Sequence, residues 1–375
     1  MKHILLLFVL SLTISFQKTD AQESAQHERI TKVIEKQGTS FVKNEKISSV
    51  SIGVIKDGKT YTQHFGELER GKGNAPNDES RYEIGSVTKT MTGYIAAKAV
   101  KEGKIDLSTD VRFYLPGNYP NLVYQDQPIT IQHLLTHTAG LPLFLPLELN
   151  EVFKNLDAQI PQKYLQMEQT YSKDQFLEDL KQVSLTTVPG TQYSYSNAGA
   201  ELMGYVLERA YEKELDSLIA ENFREVHQMF QTGIVRMDTQ RSGLVRGYWM
   251  ENSLPSPNQR NTLWASGGGA SMSMSDMLRY MELQLSIEDP IVSQSHQVLF
   301  RGEGTRKVGY FWNIWTDKYG TSYNHHGGSI GMQNWLFIFP DHKLGISIMT
   351  NQSGPETPKL LSKAAKKILK EAVKI

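Results

Sequence analysis

The chain has 375 residues, contains no cysteine, and carries 40 basic and 40 acidic residues, so its formal net charge is zero. The lack of cysteine excludes disulfides, thiolate nucleophiles and cysteine-ligated zinc, and the balanced charge argues against nucleic acid as a partner. The length and ordinary composition indicate a globular, enzyme-sized chain that forms one elaborate domain or two lobes.

Residues 1–21 have the pattern of a cleaved secretory signal. Lys2 and His3 precede an apolar run from Ile4 to Phe16, and the small residue Ala21 lies at the expected cleavage site. This run is short for a bilayer span, although a retained anchor stays open as an alternative. We therefore expect an exported protein, periplasmic or extracellular, whose mature part is residues 22–375.

Both ends of the mature chain predict strands and a helix. A helix is expected to end near Val42, followed by a hairpin whose Asp57-Gly58 turn joins two alternating strands. Near the C-terminus, residues 335–339 and 346–350 predict another strand pair. A final helix follows, for which Thr357 is the expected N-cap.

The lysines of this last helix predict a solvated polar face; the alternative is a basic face that associates with an anionic membrane surface. The middle of the chain, roughly 104–262, reads as helices joined by long loops. The pattern predicts a sheet lobe from about 22–103 and 263–375 with an inserted helical lobe, and a substrate cleft between the two.

Ser86-Val87-Thr88-Lys89 is the first candidate for chemistry. An apolar residue recurs every fourth position from Val87 to Ala99, which predicts a buried helix ending at Gly103. Ser86 would then lie in the first turn, where free backbone N–H groups favour negative charge, and Lys89 three positions later can reach its oxygen. Ser40 and Lys43 have the same spacing, but without such a helix after them we expect Ser40 to lie at the surface.

Two further motifs offer partners for Ser86. Tyr195-Ser196-Asn197 precedes a predicted helix; a phenol can relay a proton if a nearby cation lowers its pKa, and an amide can both donate and accept. The alternative is a loop tyrosine that caps the helix, and Tyr119-Pro120-Asn121 shares the spacing but reads as a connecting loop. Residues 325–331, His-His-Gly-Gly-Ser-Ile-Gly, form either a close approach to a ligand or a glycine bulge at a strand edge.

No metal or cofactor is predicted. His133 and His137 are four residues apart on a likely helix, but no zinc-protease carboxylate accompanies them, so packing or capping roles are expected. The glycine run 267–269 lacks the lysine of a phosphate loop and predicts a close approach between elements instead.

The order Ser-x-x-Lys at 86, Tyr-x-Asn at 195 and His-x-Gly at 326 resembles the β-lactamase and penicillin-binding serine hydrolase superfamily, in particular its class C β-lactamase and DD-peptidase branch. The stretches 134–142 and 265–277 look similar as well, and the resemblance covers about residues 47–370. It implies a mixed α/β (α+β) fold with an antiparallel sheet flanked by terminal helices.

The resemblance also implies roles for individual residues. Ser86 would be acylated while Lys89 and Tyr195 share the base and acid roles, and Asn197 would hold Lys89 and the substrate. The amides of Ser86 and Ser329 would form the oxyanion hole.

One departure from the resemblance concerns the substrate. Class C β-lactamases commonly have Lys-Thr-Gly where this chain has His326-Gly327-Gly328, and a neutral imidazole binds a substrate carboxylate less well than a lysine does. The expected function is an exported serine hydrolase acting on peptide-like amides or esters, of DD-peptidase, D-peptidase or esterase type. The alternatives are a class C-like β-lactamase and a penicillin-binding sensor without turnover; the natural substrate and oligomeric state stay open.

Overall fold

The structure is a computed structural model that describes residues 2–43, 47–234, 243–250, 254–258 and 265–374, with backbone alone for residues 2–21. The first helix, α1, is Lys2–Val42. The predicted export signal, residues 1–21, therefore lies outside the residues whose side chains are described. In the described part of the chain, no helix is both long enough and apolar enough to cross a membrane.

The expected N-terminal hairpin is confirmed. Strands β1, Ser49–Lys56, and β2, Lys59–Gly66, pair antiparallel. Both residues of the connecting turn have positive φ, 52° at Asp57 and 77° at Gly58, as a tight two-residue hairpin requires.

The hairpin belongs to an eight-stranded antiparallel sheet that both ends of the chain build. Its order is β10-β11-β12-β13-β14-β15-β1-β2, and β15 pairs with β1 so that Ile348 lies opposite Ile52. The C-terminal strands are β10 Phe300–Arg301, β11 Lys307–Gly309, β12 Trp312–Asp317, β13 Gly320–Gly328, β14 Gln333–Phe339 and β15 Leu344–Thr350. The expected mixed fold with an antiparallel sheet is therefore confirmed.

Helices cover both faces of this sheet, which explains why every residue of β1 is buried. On one face, α1 and the last helix, α11 Thr357–Ala372, form an apolar layer against β1, β14 and β15. On the other face, α9 Met274–Leu285 packs so closely that Met274 fills the space where Gly53 lacks a side chain. The prediction for Thr357 was wrong: Glu356 is the N-cap, and Thr357 is the buried first residue of α11.

Short elements occupy the rest of the chain. After β3, Tyr82–Glu83, a 3₁₀ turn at Gly85–Val87 leads into α2 Thr88–Lys101. The helices that follow α2 are α3 Ile131–Leu135, α4 Glu148–Val152, α5 Ile160–Thr170, α6 Lys173–Leu180, α7 Asn197–Tyr211, α8 Leu215–Ile219 and α10 Pro290–Ser295, and a π-helical turn spans Ala220–Glu225. The small strands are β4 Val123–Tyr124, β5 Gln127–Pro128, β6 Gly233–Ile234, β7 Gly247–Trp249, β8 Leu254–Ser256 and β9 Ala270–Met272.

Helices α3 to α8 lie within the predicted insertion, residues 104–262. The exact division into two lobes stays a prediction.

Candidate active site

Ser86 lies in the 3₁₀ turn that leads directly into α2. The predicted apolar stripe is buried, with Met91 and Ile95 at 0% exposure, and the helix ends at Lys101 just before Gly103. Ser86 itself is half-buried and lines a cleft. The sequence argument therefore placed the serine correctly at the helix entrance, two residues before the α-helix begins at Thr88.

The rival Ser40 lies inside α1 and is exposed. Its expected surface position is confirmed, and so is the expected end of the N-terminal helix near Val42, within which Gly38 lies. That glycine has a packing reason: a Cβ on Gly38 would lie 2.0 Å from the Phe65 ring.

Three polar side chains converge around Ser86. Lys89 Nζ lies 3.1 Å from Ser86 Oγ, and the Tyr195 hydroxyl lies 2.6 Å from the same oxygen. Lys89 Nζ also donates to Asn197 Oδ1 at 2.6 Å and to the Gly267 carbonyl at 2.5 Å. The structure thus brings the first two motifs of the sequence together in one hydrogen-bonded cluster.

The start of α7 holds Tyr195 and Asn197 in place. Ser196 is the N-cap, and its hydroxyl accepts from the Gly199 amide at 2.8 Å. Ser196 Oγ also donates to the Pro142 carbonyl, and the Asn197 amide donates to the Leu143 carbonyl at 2.8 Å. Ser196 is therefore the capping residue, which leaves the Tyr195 phenol free to contact Ser86.

Glu201 is a buried carboxylate that the sequence analysis missed. It lies one turn after Asn197 on α7, and it accepts from Ser266 Oγ at 2.8 Å and from the Gly267 amide at 2.7 Å. A Cβ added to Gly267 would lie 2.5 Å from Glu201 Oε1 and 3.6 Å from Lys89 Nζ, so both charged groups flank this glycine. The sequence did contain a signal for Glu201. It lies four residues after Asn197, on the same helix face, among apolar residues.

Burial dominates the proton affinities in this cluster. It lowers the pKa of Lys89, opposed by the negative charge of Glu201, and it raises the pKa of Glu201, opposed by the hydrogen bonds from Ser266 and Gly267. Burial also raises the pKa of Tyr195, although its hydrogen bond to Ser86 acts in the opposite direction. The condition under which a phenol relays a proton by losing its own, a pKa lowered by a nearby cation, is therefore not met at Tyr195. A neutral amine is accessible at Lys89, while Tyr195 stays a neutral donor.

His325, and not the His326 of the predicted His-x-Gly motif, is the histidine that contacts the Ser86 cluster, although neither lines the cleft. His325 lies beside Tyr195, with 6.4 Å between ring centroids, and the charge of Lys89 contributes to lowering its pKa to about 3, mainly through burial. His326, on the opposite face of β13, packs on Trp335 at 5.2 Å and does not line the cleft. Alternation along the strand decides this, because neighbouring residues point to opposite faces.

The Ser329 amide, expected as an oxyanion-hole donor, is already engaged, and the Gly328 amide is better placed for such a role. The Ser329 amide already donates to the Met332 carbonyl at 2.8 Å, on the β14 side of the strand. Successive N–H groups of a strand point to opposite sides, so the Gly328 amide faces the turn that holds Ser86. That approach is close: a Cβ on Gly85, whose φ is +48°, would lie 2.6 Å from Gly328 N. Ser329 still lines the cleft.

The cleft beside Ser86 has a volume of about 350 Å³, within the range of small-molecule sites. The residues that line it include a group of large apolar side chains and a group of backbone and polar positions near the serine. The apolar group is Phe144, Phe153, Leu156, Tyr164, Trp249 and Ile330, and the second group includes Asn197, Glu201, Gly267, Gly328, Ser329 and Gln333.

The remaining candidates have structural contacts. His133 Nδ1 accepts from the Thr130 amide in a capping box, and His137 Nδ1 accepts from the Ser196 amide while its ring packs against Tyr195. The Asn121 side chain donates hydrogen bonds to the carbonyl oxygens of Leu180 and Val183. Among the described residues there is no group of three or more His, Asp or Glu suited to a metal ion.

Sequence comparison identifies the family to which a chain with this fold and this arrangement of serine, lysine and tyrosine belongs. The β-lactamase family model matches residues 32–370, so the chain belongs to the β-lactamase family.

Individual relatives are distant. Protein flp of Staphylococcus aureus (strain MRSA252) is 23% identical over 322 residues, which are 84% of this chain and 62% of that protein. A β-lactamase of Providencia stuartii is 25% identical over 249 residues, 65% of this chain and 57% of its own. The chain thus spans less than two thirds of the length of these relatives.

Solved structures share the fold. A β-lactamase/D-alanine carboxypeptidase from Yersinia pestis superposes with a TM-score of 0.77 at 22% identity, covering 92% of this chain and 99% of its own. A class C β-lactamase gives a TM-score of 0.75 at 19% identity, with coverage of 91% and 96%.

Proposed function

We propose that this protein is an exported serine hydrolase that cleaves peptide-like amides or esters through an acyl-Ser86 intermediate. One observation carries the proposal: Ser86 Oγ lies within hydrogen-bond distance of both Lys89 Nζ and the Tyr195 hydroxyl. A nucleophile with a base and an acid on its reacting atom is what acyl transfer requires.

The lowered pKa of Lys89 supports its role as the base. Ser86 Oγ attacks the substrate carbonyl carbon, and neutral Lys89 takes the hydroxyl proton. Tyr195 gives its proton to the leaving group as the old bond breaks, and the proton on Lys89 then restores the phenol. In the second half, water adds to the acyl carbon and loses a proton to the same groups, and Ser86 leaves with its proton restored.

Charge that develops on the carbonyl oxygen needs hydrogen-bond donors in place beforehand. The backbone amides of Ser86 and Gly328 are suited to this because Gly85 packs directly against Gly328. One such donor contributes about 2.7–4 kcal/mol in hydrolases of known mechanism. Asn197 orients Lys89 through its Oδ1, and its side chain also lines the cleft.

The test uses the mature protein, residues 22–375, with Ser86→Ala as control. A fluorescent penicillin, a D-Ala-D-Ala peptide, a chromogenic cephalosporin and a p-nitrophenyl ester are compared, and the adduct mass is measured on the peptide that contains Ser86. We expect turnover that Ser86→Ala lacks. Equal activity of wild type and Ser86→Ala contradicts the proposal. Fast cephalosporin turnover favours a β-lactamase instead. A stoichiometric adduct without turnover favours a sensor.

Export is part of the proposal and rests on the charge and apolar pattern of residues 1–21. Fractionation of cells that produce the full chain, with N-terminal sequencing of the product, tests it. Intact protein that stays in the cytoplasm contradicts it.

A further inference from the structure

We propose that the cleft beside Ser86 is an acyl-binding subsite, and that the preferred substrates are neutral esters with an extended apolar acyl group. This inference rests on the proposed function and specifies its substrate class. It is carried by the aromatic wall of the cleft, by the way polar contacts fix that wall, and by the position of the cleft relative to Tyr195.

The wall is aromatic and continuous. Phe144 stacks on Phe153 with 5.2 Å between centroids, and Phe153 meets the edge of Tyr164 at 6.1 Å. Trp249 and Leu156 complete the lining. Such surfaces gain free energy by removing apolar ligand area from water, and they offer no partner for a charged group.

Leucines extend this apolar surface out of the cleft. Leu156 is 45% exposed, and Leu143 and Leu147, which flank the Phe144 segment, are 39% and 49% exposed. Single exposed leucines are ordinary, but these three lie in the two chain segments that supply Phe144, Phe153 and Leu156 to the cleft, which favours apolar ligands.

Hydrogen bonds hold the wall in position, so the subsite is preformed. Asn150 accepts from the Phe144 amide at 3.0 Å and donates to the Phe144 carbonyl at 2.9 Å. Trp249 Nε1 donates to the Asp157 carbonyl at 2.7 Å, next to Leu156. A wall fixed before binding loses little freedom when it takes up a ligand.

The position of Tyr195 decides which half of the substrate enters. The group that leaves takes the proton of Tyr195, so it lies on the side of that phenol. Tyr195 does not line the cavity, whereas Asn197 and Glu201 on the following turn of α7 do. We therefore place the acyl group, which stays attached to Ser86, in this cavity and the leaving group on the side of Tyr195.

Charge also favours a neutral substrate. The described residues that line the cavity include no lysine or arginine, and the one acidic residue among them is Glu201. The imidazole next to Tyr195 is neutral because burial lowers the pKa of His325 to about 3. A substrate carboxylate near the scissile bond would meet no cation among these groups, so its dehydration is poorly compensated.

The experiment measures kcat/KM for p-nitrophenyl acetate, butyrate and hexanoate, and for a D-Ala-D-Ala peptide, with the mature wild-type protein. Burial of one methylene is expected to raise kcat/KM by up to about fourfold. We expect at least a tenfold rise from acetate to hexanoate, and lower values for the peptide. A flat or falling series, or a preference for the peptide, overturns the inference.

Two variants locate the effect. Phe153→Ala should lower the ratio of kcat/KM for hexanoate to kcat/KM for acetate at least fivefold. Phe113→Ala is the matched control, because Phe113 is 81% exposed and does not line the cleft. Equal ratios in wild type and Phe153→Ala contradict the subsite.

Labelling of Ser86 by a fluorophosphonate separates the two proposals. A labelled serine with a flat ester series contradicts only the subsite. A serine that is not labelled, with ester hydrolysis retained in Ser86→Ala, contradicts the proposed function itself.

Discussion

Replacing Gly85 by alanine tests whether the contact between two backbone segments builds the oxyanion hole. Gly85 has a φ of +48°, and its missing Cβ would lie 2.5–2.7 Å from the O, N and C atoms of Gly328. Real Cβ atoms do not approach backbone so closely, so the end of β13 must move away from Ser86. The Gly328 amide would then leave its position opposite the reacting carbonyl.

Two costs of the substitution can be separated. Positive φ at a residue with a Cβ costs about 1–2 kcal/mol of stability. Misplacing one oxyanion donor costs about 2.7–4 kcal/mol in the transition state, or roughly a hundredfold to a thousandfold in rate. We therefore expect Gly85→Ala to lose about a hundredfold or more in kcat/KM for an ester substrate.

Gly103→Ala supplies the matched control. Gly103 follows the other end of α2, has a φ of +70°, and has no atom within 4 Å of its missing Cβ. It should lose about 1–2 kcal/mol in urea unfolding and less than about threefold in kcat/KM. Circular dichroism and active-site titration restrict the rates to folded molecules. If folded Gly85→Ala is as active as Gly103→Ala, the oxyanion reasoning is refuted.

The remaining predictions concern protons. Because burial lowers the pKa of Lys89, the acylation rate should increase with pH, and the midpoint of this increase should lie below the ordinary lysine pKa of 10.5. Glu201→Gln removes the charge that raises the pKa of Lys89, so the midpoint should move down by roughly one pH unit. A midpoint that does not move contradicts the coupling between Glu201 and Lys89. Tyr195→Phe should lower kcat/KM for alkyl esters about a hundredfold or more. The decrease should be much smaller for p-nitrophenyl esters, because their leaving group needs no proton. Equal decreases for both kinds of ester contradict the role of Tyr195 as an acid. Burial lowers the pKa of His296 from 6.5 to about 3, so below pH 6.5 the unfolded chain binds a proton that the folded protein does not. His296→Gln should remove about 1.4 kcal/mol per pH unit from the acid-side loss of unfolding free energy, measured in urea at pH 6, 5 and 4; an unchanged slope contradicts this.

Local sequence patterns were sufficient to predict those features that depend on one continuous stretch of chain. The Asp57-Gly58 turn specified its hairpin, and the four-residue apolar repeat after Ser86 specified a buried helix with the serine at its entrance. Lys89 followed from the same helix because three residues bring a side chain back to the same face. The order of the motifs was enough to indicate the family.

Contacts between distant segments could not be read in that way. His325 and His326 are adjacent in sequence, and only the register of β13 against β14 shows that His325 lies beside Tyr195 and His326 on Trp335. The sequence also pointed to the Ser329 amide as an oxyanion-hole donor, whereas the structure favours the Gly328 amide, because successive N–H groups of a strand point to opposite sides.

The sequence by itself predicted Ser86 as the nucleophile and Lys89 as its partner, because that pairing depends on spacing within one helix, and the order of the motifs indicated the α+β class. The tertiary structure alone decided the proton affinities. Glu201, Gly267 and Lys89 come from three separate segments, and the removal of their polar groups from water is what lowers the pKa of Lys89 and raises that of Glu201. Desolvation is a property of packed surroundings, so no pattern in a single segment contains it.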